Sequence, residues 1–211
     1  MFEYVDHTNY TYKVADVNLA EAGRKLLASA GNTPFDAVRG DNEGAKPLDG
    51  VRVTCCVPVD SEGVAFAKAL VALGADVRVC ANATATTVNE LAAVLAADEV
   101  STFAWRGESL AEFWWCARKA LDFADKAMPE VLFDPDGRLS QLIDKGVEFA
   151  ADPELYSADY SEAGEDMLEL VELLRMVRGR LDWVRLKAGL KLVSTEVSAD
   201  AIRRVIAIRK G

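Results

Sequence analysis

From residue 51 onward, short runs of apolar, β-branched residues alternate with longer segments whose apolar positions recur every three or four residues. Residues 51–57 (Val-Arg-Val-Thr-Cys-Cys-Val) are the first such run, introduced by Pro47-Leu-Asp-Gly50 and followed by a polar turn and a helix over 63–73. Residues 74–80 repeat the strand, and their helix covers 87–97, with Val88, Leu91, Ala92 and Leu95 at helical spacing. A third strand is expected at 100–105 with its helix at 112–127, and a fourth at 131–133 before Asp134-Pro-Asp-Gly137. Strands that alternate with helices in this way predict an α/β fold: a Rossmann-like or flavodoxin-like parallel sheet with helices on both faces.

The flanks read differently. Residues 20–29 form a helical stretch, and 31–49, rich in Gly, Asn and Asp, reads as a connecting loop. Beyond residue 139 the text turns helical, with a short piece to 145 and then an acidic segment over 161–187. In that segment Leu168, Val171, Leu174 and Met176 form much of an apolar stripe. A last strand at 190–193 and a basic closing helix at 199–208 complete the pattern. Heptads, low-complexity tracts and solenoid repeats are absent. The expectation is a single domain over 1–211, with its core at about 12–145 and a helical extension at about 146–211.

Composition narrows the function. A chain of 211 residues with 51% hydrophobic content can bury a substantial core. The apolar residues are scattered, and the N-terminus carries no basic stretch followed by an apolar one, so neither a membrane span nor a signal peptide is expected. With 24 basic against 34 acidic side chains, the net charge of -10 repels phosphate backbones and speaks against nucleic acid as partner. Cys55, Cys56, Cys80 and Cys116 lie in apolar context and read as buried thiols, which points to a cytoplasmic protein. A single histidine, His7, in a polar terminal segment, leaves no basis for a multi-histidine metal site. No G-x-G-x-x-G opens a helix after a strand and no G-K-[ST] phosphate loop occurs. Neither metal nor NAD is therefore expected to be held by this chain alone.

An open parallel sheet takes its ligand at the carboxyl ends of its strands. The segments to inspect are 58–62, 81–87, 106–109 and 134–140. Asp60 and Glu62 are candidates for an acid/base pair or for accepting hydrogen bonds from a ribose or amino group, but the leading reading is a helix cap with an acidic first turn. Glu62, Asn82, Thr86, Glu108 and Asp134 are the candidate substrate-binding residues around them. Trp105, Phe113, Trp114 and Trp115 read as a core or subunit contact before a base-stacking surface. Arg203, Arg204, Arg209 and Lys210 make the last helix basic, whether for an anionic ligand or for the helix dipole.

Several segments carry a family resemblance: Tyr12-Lys-Val-Ala-Asp-Val-Asn-Leu-Ala-Glu-Ala-Gly-Arg-Lys25, Lys46-Pro-Leu-Asp-Gly-Val-Arg-Val, Ala72-Leu-Gly-Ala-Asp-Val-Arg78 and Phe103-Ala-Trp-Arg-Gly-Glu-Ser-Leu-Ala-Glu-Phe-Trp-Trp-Cys116. Together they resemble the N-terminal substrate domain of the S-adenosylhomocysteine hydrolases, in order from about 12 to 145 and more faintly to 200. The tryptophan pair after F-A-W-[KR]-G-E is the most specific part. The family oxidises a nucleoside 3′-hydroxyl with bound NAD, eliminates or adds homocysteine, and reduces the ketone again. Family members continue into a large NAD-binding domain, and the expectation is that this chain stops before it.

The resemblance also implies losses. Against C-L-H-M-T-x-[EQ]-T the chain reads Cys56-Val-Pro-Val-Asp-Ser-Glu-Gly63, which puts Pro58 at the histidine and leaves only Glu62 as an adenine-contacting residue type. D-D-G-G-D becomes Asp134-Pro-Asp-Gly-Arg138, with Pro135 at the second aspartate. The motif ending in N-V-N-D-S-V-T-K keeps Asp200 but places Arg204 at the catalytic lysine, and arginine does not act as a base near neutral pH. The leading expectation is a non-catalytic or auxiliary subunit in a homo-oligomer or with a fuller hydrolase-like chain. The alternatives are a non-redox enzyme acting on an adenosine or S-adenosyl metabolite, and the substrate half of a split hydrolase.

Overall fold

The computed structural model describes residues 11–210, so His7 lies outside the described residues. Six strands form one sheet in the order β1-β4-β3-β2-β5-β6, every neighbouring pair parallel. They are β1 (Lys13–Val14), β2 (Arg52–Val57), β3 (Asp76–Ala81), β4 (Ser101–Ala104), β5 (Val131–Phe133) and β6 (Leu192–Ser194). Nine α-helices cover the sheet among the described residues: α1 (Ala20–Ala30), α2 (Phe35–Gly40), α3 (Ser61–Ala72), α4 (Asn89–Ala97), α5 (Leu110–Lys119), α6 (Arg138–Ala151), α7 (Glu165–Met176), α8 (Trp183–Gly189) and α9 (Ala199–Lys210).

The strands read as continuous apolar runs because both faces are covered, and the two-residue period sorts their side chains between two cores. Val53, Cys55, Val57, Val79, Ala81 and Phe133 enter one layer with α2, α3, α4 and α9. Cys56, Cys80, Phe103 and Leu132 enter the other with α5, α6, α7 and α8. Full burial of one such side chain contributes about 1.5–3 kcal/mol, several times what helix propensity differences supply per residue. Packing on the sheet therefore decides where the helices lie.

The tryptophan-rich segment belongs to the second core. Phe113, Trp114 and Trp115 are buried, and Trp114 donates its indole N–H to the Asp166 carbonyl at 3.0 Å. Arg138 lies over the Phe113 and Trp114 rings, 4.7 and 4.3 Å from their centroids, and holds Asp166 through two hydrogen bonds of 2.8 and 2.6 Å. One guanidinium thus ties α5, α6 and α7 together.

The connections leaving β2 and β5 set up the site. From β2 the chain moves toward β3 through α3 in the first layer, whereas from β5 it moves the other way, toward β6, through α6, α7 and α8 in the second. Adjacent strands whose connections depart on opposite faces make a topological switch point, and a crevice opens between them.

Four local features differ from the sequence pattern. The connecting loop at 31–49 contains α2, anchored by buried Phe35 and Val38, with Phe35 edge-on to Phe66 at 5.3 Å. The edge strand β1 is only two residues long and finds its partner in β4. The third helix stops at Lys119 rather than 127, giving way to a 3-10 turn at Ala124–Lys126. The acidic helix over 161–187 is two helices, broken where Gly179 adopts a left-handed φ of 73° and Asp182 caps α8 by accepting from the Arg185 amide.

Helices α6 and α8 meet at a glycine. A Cβ on Gly146 would fall 2.2 Å from Cδ2 of buried Trp183. Gly146→Ala is expected to destabilise the fold by about 1–3 kcal/mol through overpacking, read as a lower midpoint in urea denaturation with an unchanged slope.

Candidate functional site

At the switch point lies a crevice of about 280 Å³, between the turn after β2, the loop after β3 and the turns after β5 and β6. Pro58, Asp60 and Glu62 line it from β2, Asn82 from β3, Pro135 and Asp136 from β5, and Val197 from β6. Its size stands near the lower bound of small-molecule sites, roughly 300–1,000 Å³.

The β2 turn is shaped by its first helical residues. Asp60 accepts from the amides of Glu62 at 3.0 Å and Gly63 at 2.9 Å, all through Oδ1, and so caps α3. Gly63 is required by close approach: a Cβ there would meet the Pro58 carbonyl oxygen at 1.9 Å. Glu62, exposed in the first turn, has no side-chain partner among the described residues. Across the crevice, Asn82 donates from Nδ2 to Asp136 at 2.5 Å, linking the β3 loop to the β5 turn. Thr86 stands behind Asn82, within 2.9 Å of both its Oδ1 and the Ala83 carbonyl.

Asp134 and Glu108 are placed elsewhere. Asp134 is buried and accepts from the amides of Leu139 at 3.1 Å and Ser140 at 2.8 Å, and from the Ser140 hydroxyl at 2.8 Å. These bonds fix the start of α6. Glu108, 5% exposed, lies after β4 and accepts from the Trp105 amide at 2.9 Å through Oε1. Its Oε2 has no hydrogen-bond partner among the described residues. Burial pushes the Glu108 carboxyl up to about 8; the Trp105 amide and Lys13 pull it down, and Glu112 pushes it further up. Of the residues proposed from sequence, then, Asp60, Glu62 and Asn82 share the crevice, with Thr86 behind Asn82, while Asp134 and Glu108 face other partners.

Besides Pro58, Gly63 and Pro135, the lining residues Asp136 and Val197 were not among the candidates. Asp136 had a signal, since it shares the Asp134-Pro-Asp-Gly turn; Val197 had none, because only the sheet topology brings the segment after β6 beside β2. All four cysteines are buried and free. Burial holds the Cys55 and Cys116 thiols well up, and at Cys56 the Cys80 hydrogen bond is the larger cause, so none presents a ready thiolate. Among the described residues no group of three or more His, Cys, Asp or Glu side chains is arranged to hold a metal ion, and no helix is long and apolar enough to cross a membrane.

A dinucleotide pyrophosphate does not fit the start of α3. The amides that would receive it, those of Glu62 and Gly63, are already taken by Asp60, whose carboxylate stands where a phosphate would have to approach. No step of chemistry is assigned through NAD at this crevice.

Among models of known protein families, that of S-adenosyl-L-homocysteine hydrolase matches residues 11–211.

Glu108 makes stability depend on pH. Its folded pKa lies above the ordinary value of 4.5, so between about 4.5 and 8 the unfolded chain loses the proton while the folded chain keeps it. Stability contributed by the neutral form is complete below the unfolded value and declines as pH rises toward about 8. Glu108→Gln, which keeps an acceptor for the Trp105 amide, is expected to flatten that decline in urea titrations run from pH 5 to 8.5. An identical pH slope in the variant would contradict the assignment.

Proposed function

We propose, from the premise that the chain belongs to the S-adenosyl-L-homocysteine hydrolase family, that it is a non-catalytic member acting as an auxiliary subunit of a homo- or hetero-oligomer in the cytoplasm. One observation carries this reading. Pro58 and Pro135, aligned by the resemblance with a histidine and an aspartate of the family's motifs, both line the switch-point crevice. A proline side chain neither gives nor takes a proton, and loss of one positioned acid or base lowers a rate by about 10²–10⁴-fold.

The remaining groups do not replace them. Asp60 is engaged as a cap, Asp134 is buried in the α6 turn, and Arg204 is held by Glu196 at 2.5 Å. By contrast, the segments that carry the resemblance are structural: the F-A-W-R-G-E-S run forms β4 and the capping box that opens α5, and the tryptophan pair fills the second core. A scaffold kept with its proton-transfer positions replaced suits a role in assembly, and the net charge of -10 suits a protein partner better than a nucleic acid.

A second reading is favoured by Glu62. It keeps an adenine-contacting residue type at the mouth of an open crevice, with its carboxylate unengaged by the described residues. In that reading the crevice retains an adenosine or S-adenosyl ligand, with Asp60 and Glu62 beside it for non-redox chemistry.

The test uses the purified chain supplied with S-adenosylhomocysteine and NAD, with products followed by chromatography and particle mass by light scattering. The expected result is no adenosine or homocysteine above background, together with a particle heavier than 22.9 kDa or a stable complex with a hydrolase chain. Turnover by the chain alone, or a strict monomer that captures no hydrolase chain, overturns the proposal. Thermal stabilisation by adenosine that is lost in Glu62→Gln would move the assignment to the second reading.

A further inference from the structure

We propose that a second cavity, at the amino-terminal end of the sheet and remote from the switch-point crevice, binds a small polyanion bearing two or more phosphate or carboxylate groups. The cavity measures about 340 Å³, larger than the crevice, and lies between the segment joining α5 to β5 and the turn joining α7 to α8. That volume falls within the roughly 300–1,000 Å³ of small-molecule sites.

Its charge is set by three cations, Lys126 on one wall and Arg180 and Arg185 on the other. The two carboxylates on the walls are engaged. Asp122 is held by Arg118 and by Lys119, and Asp182 accepts from the Arg185 amide at 2.9 Å as the cap of α8. Neither Lys126 nor Arg185 has a side-chain ion pair among the described residues. An anion entering the cavity thus meets Lys126 on one wall and Arg185 on the other, neither of them ion-paired to Asp122 or Asp182. Guanidinium forks match paired oxygens, and opposing walls favour a ligand with more than one anionic group over a single phosphate.

Two further observations point the same way. Asp125 and Lys126 both take left-handed backbone, with φ of 54° and 58°, although neither is glycine. Such strain gathers at ligand clamps, and here it sets Lys126 on the cavity wall. In a chain of net charge -10, small anions are repelled by most of the surface, so a local excess of positive charge in a concave site concentrates them there.

The test is isothermal titration of the full chain at low ionic strength with pyrophosphate, and in a second arm with citrate. The proposal predicts one-to-one saturable binding that weakens with added salt and falls at least about tenfold in Lys126→Ala/Arg185→Ala, two exposed cations lost from opposing walls. Preference for pyrophosphate assigns a phosphate-bearing ligand, preference for citrate a polycarboxylate, and either supports the proposal. Amide shifts in the unaltered protein give a second measurement should the double variant misfold: Ala127, Gly179 and Leu181 should move while Glu62 and Gly63 stay. No saturable binding in either arm, equal affinity in the folded double variant, or shifts confined to Glu62 and Gly63 overturns it.

Discussion

Two carboxylates at the switch point are committed to backbone amides, and the shape of the crevice depends on that commitment. Asp60 holds the first turn of α3 and Asp134 the first turn of α6. A helix start leaves four amides without partners, and each of these carboxylates accepts from two of them and complements the dipole. Because these helices leave adjacent strands on opposite faces, the caps fix the two walls between which any ligand would enter. The same bonds give both carboxylates a part in building the crevice, whatever ligand it takes.

The rest of the molecule supports this arrangement from behind. The alternation of strand residues feeds two cores, and the second is tied together by Arg138, stacked on two aromatic rings and forked onto Asp166. Arg138 immediately follows the Asp134 turn, so the segment that shapes one side of the crevice also locks α7 onto α5.

Much of the fold was legible in the sequence because the four central strands are apolar runs bounded by turn residues, and their helices keep the 3.6-residue period. The exceptions have physical causes. Helix α2 presents only Phe35 and Val38 to the core, too few positions for a period to register, and β1 is fixed by pairing with β4 rather than by its own pattern. In the candidate site, the capping alternative for Asp60 could be read from the D-x-x-G turn, since the residue types alone suffice. Burial of Asp134 and Glu108 could not, because it follows from which helices cover them. The residues Asn82, Asp136 and Val197 meet only because the strand order brings β3, β5 and β6 around β2.

The claim at the centre of this account is that Asp60 serves the backbone. Comparing Asp60→Asn with Asp60→Ala by urea denaturation tests it most directly, since asparagine caps a helix about as well as aspartate and alanine does not. The account predicts a loss of about 0.5–2 kcal/mol for alanine and a much smaller one for asparagine. Equal losses in the two variants, or none in either, would contradict it.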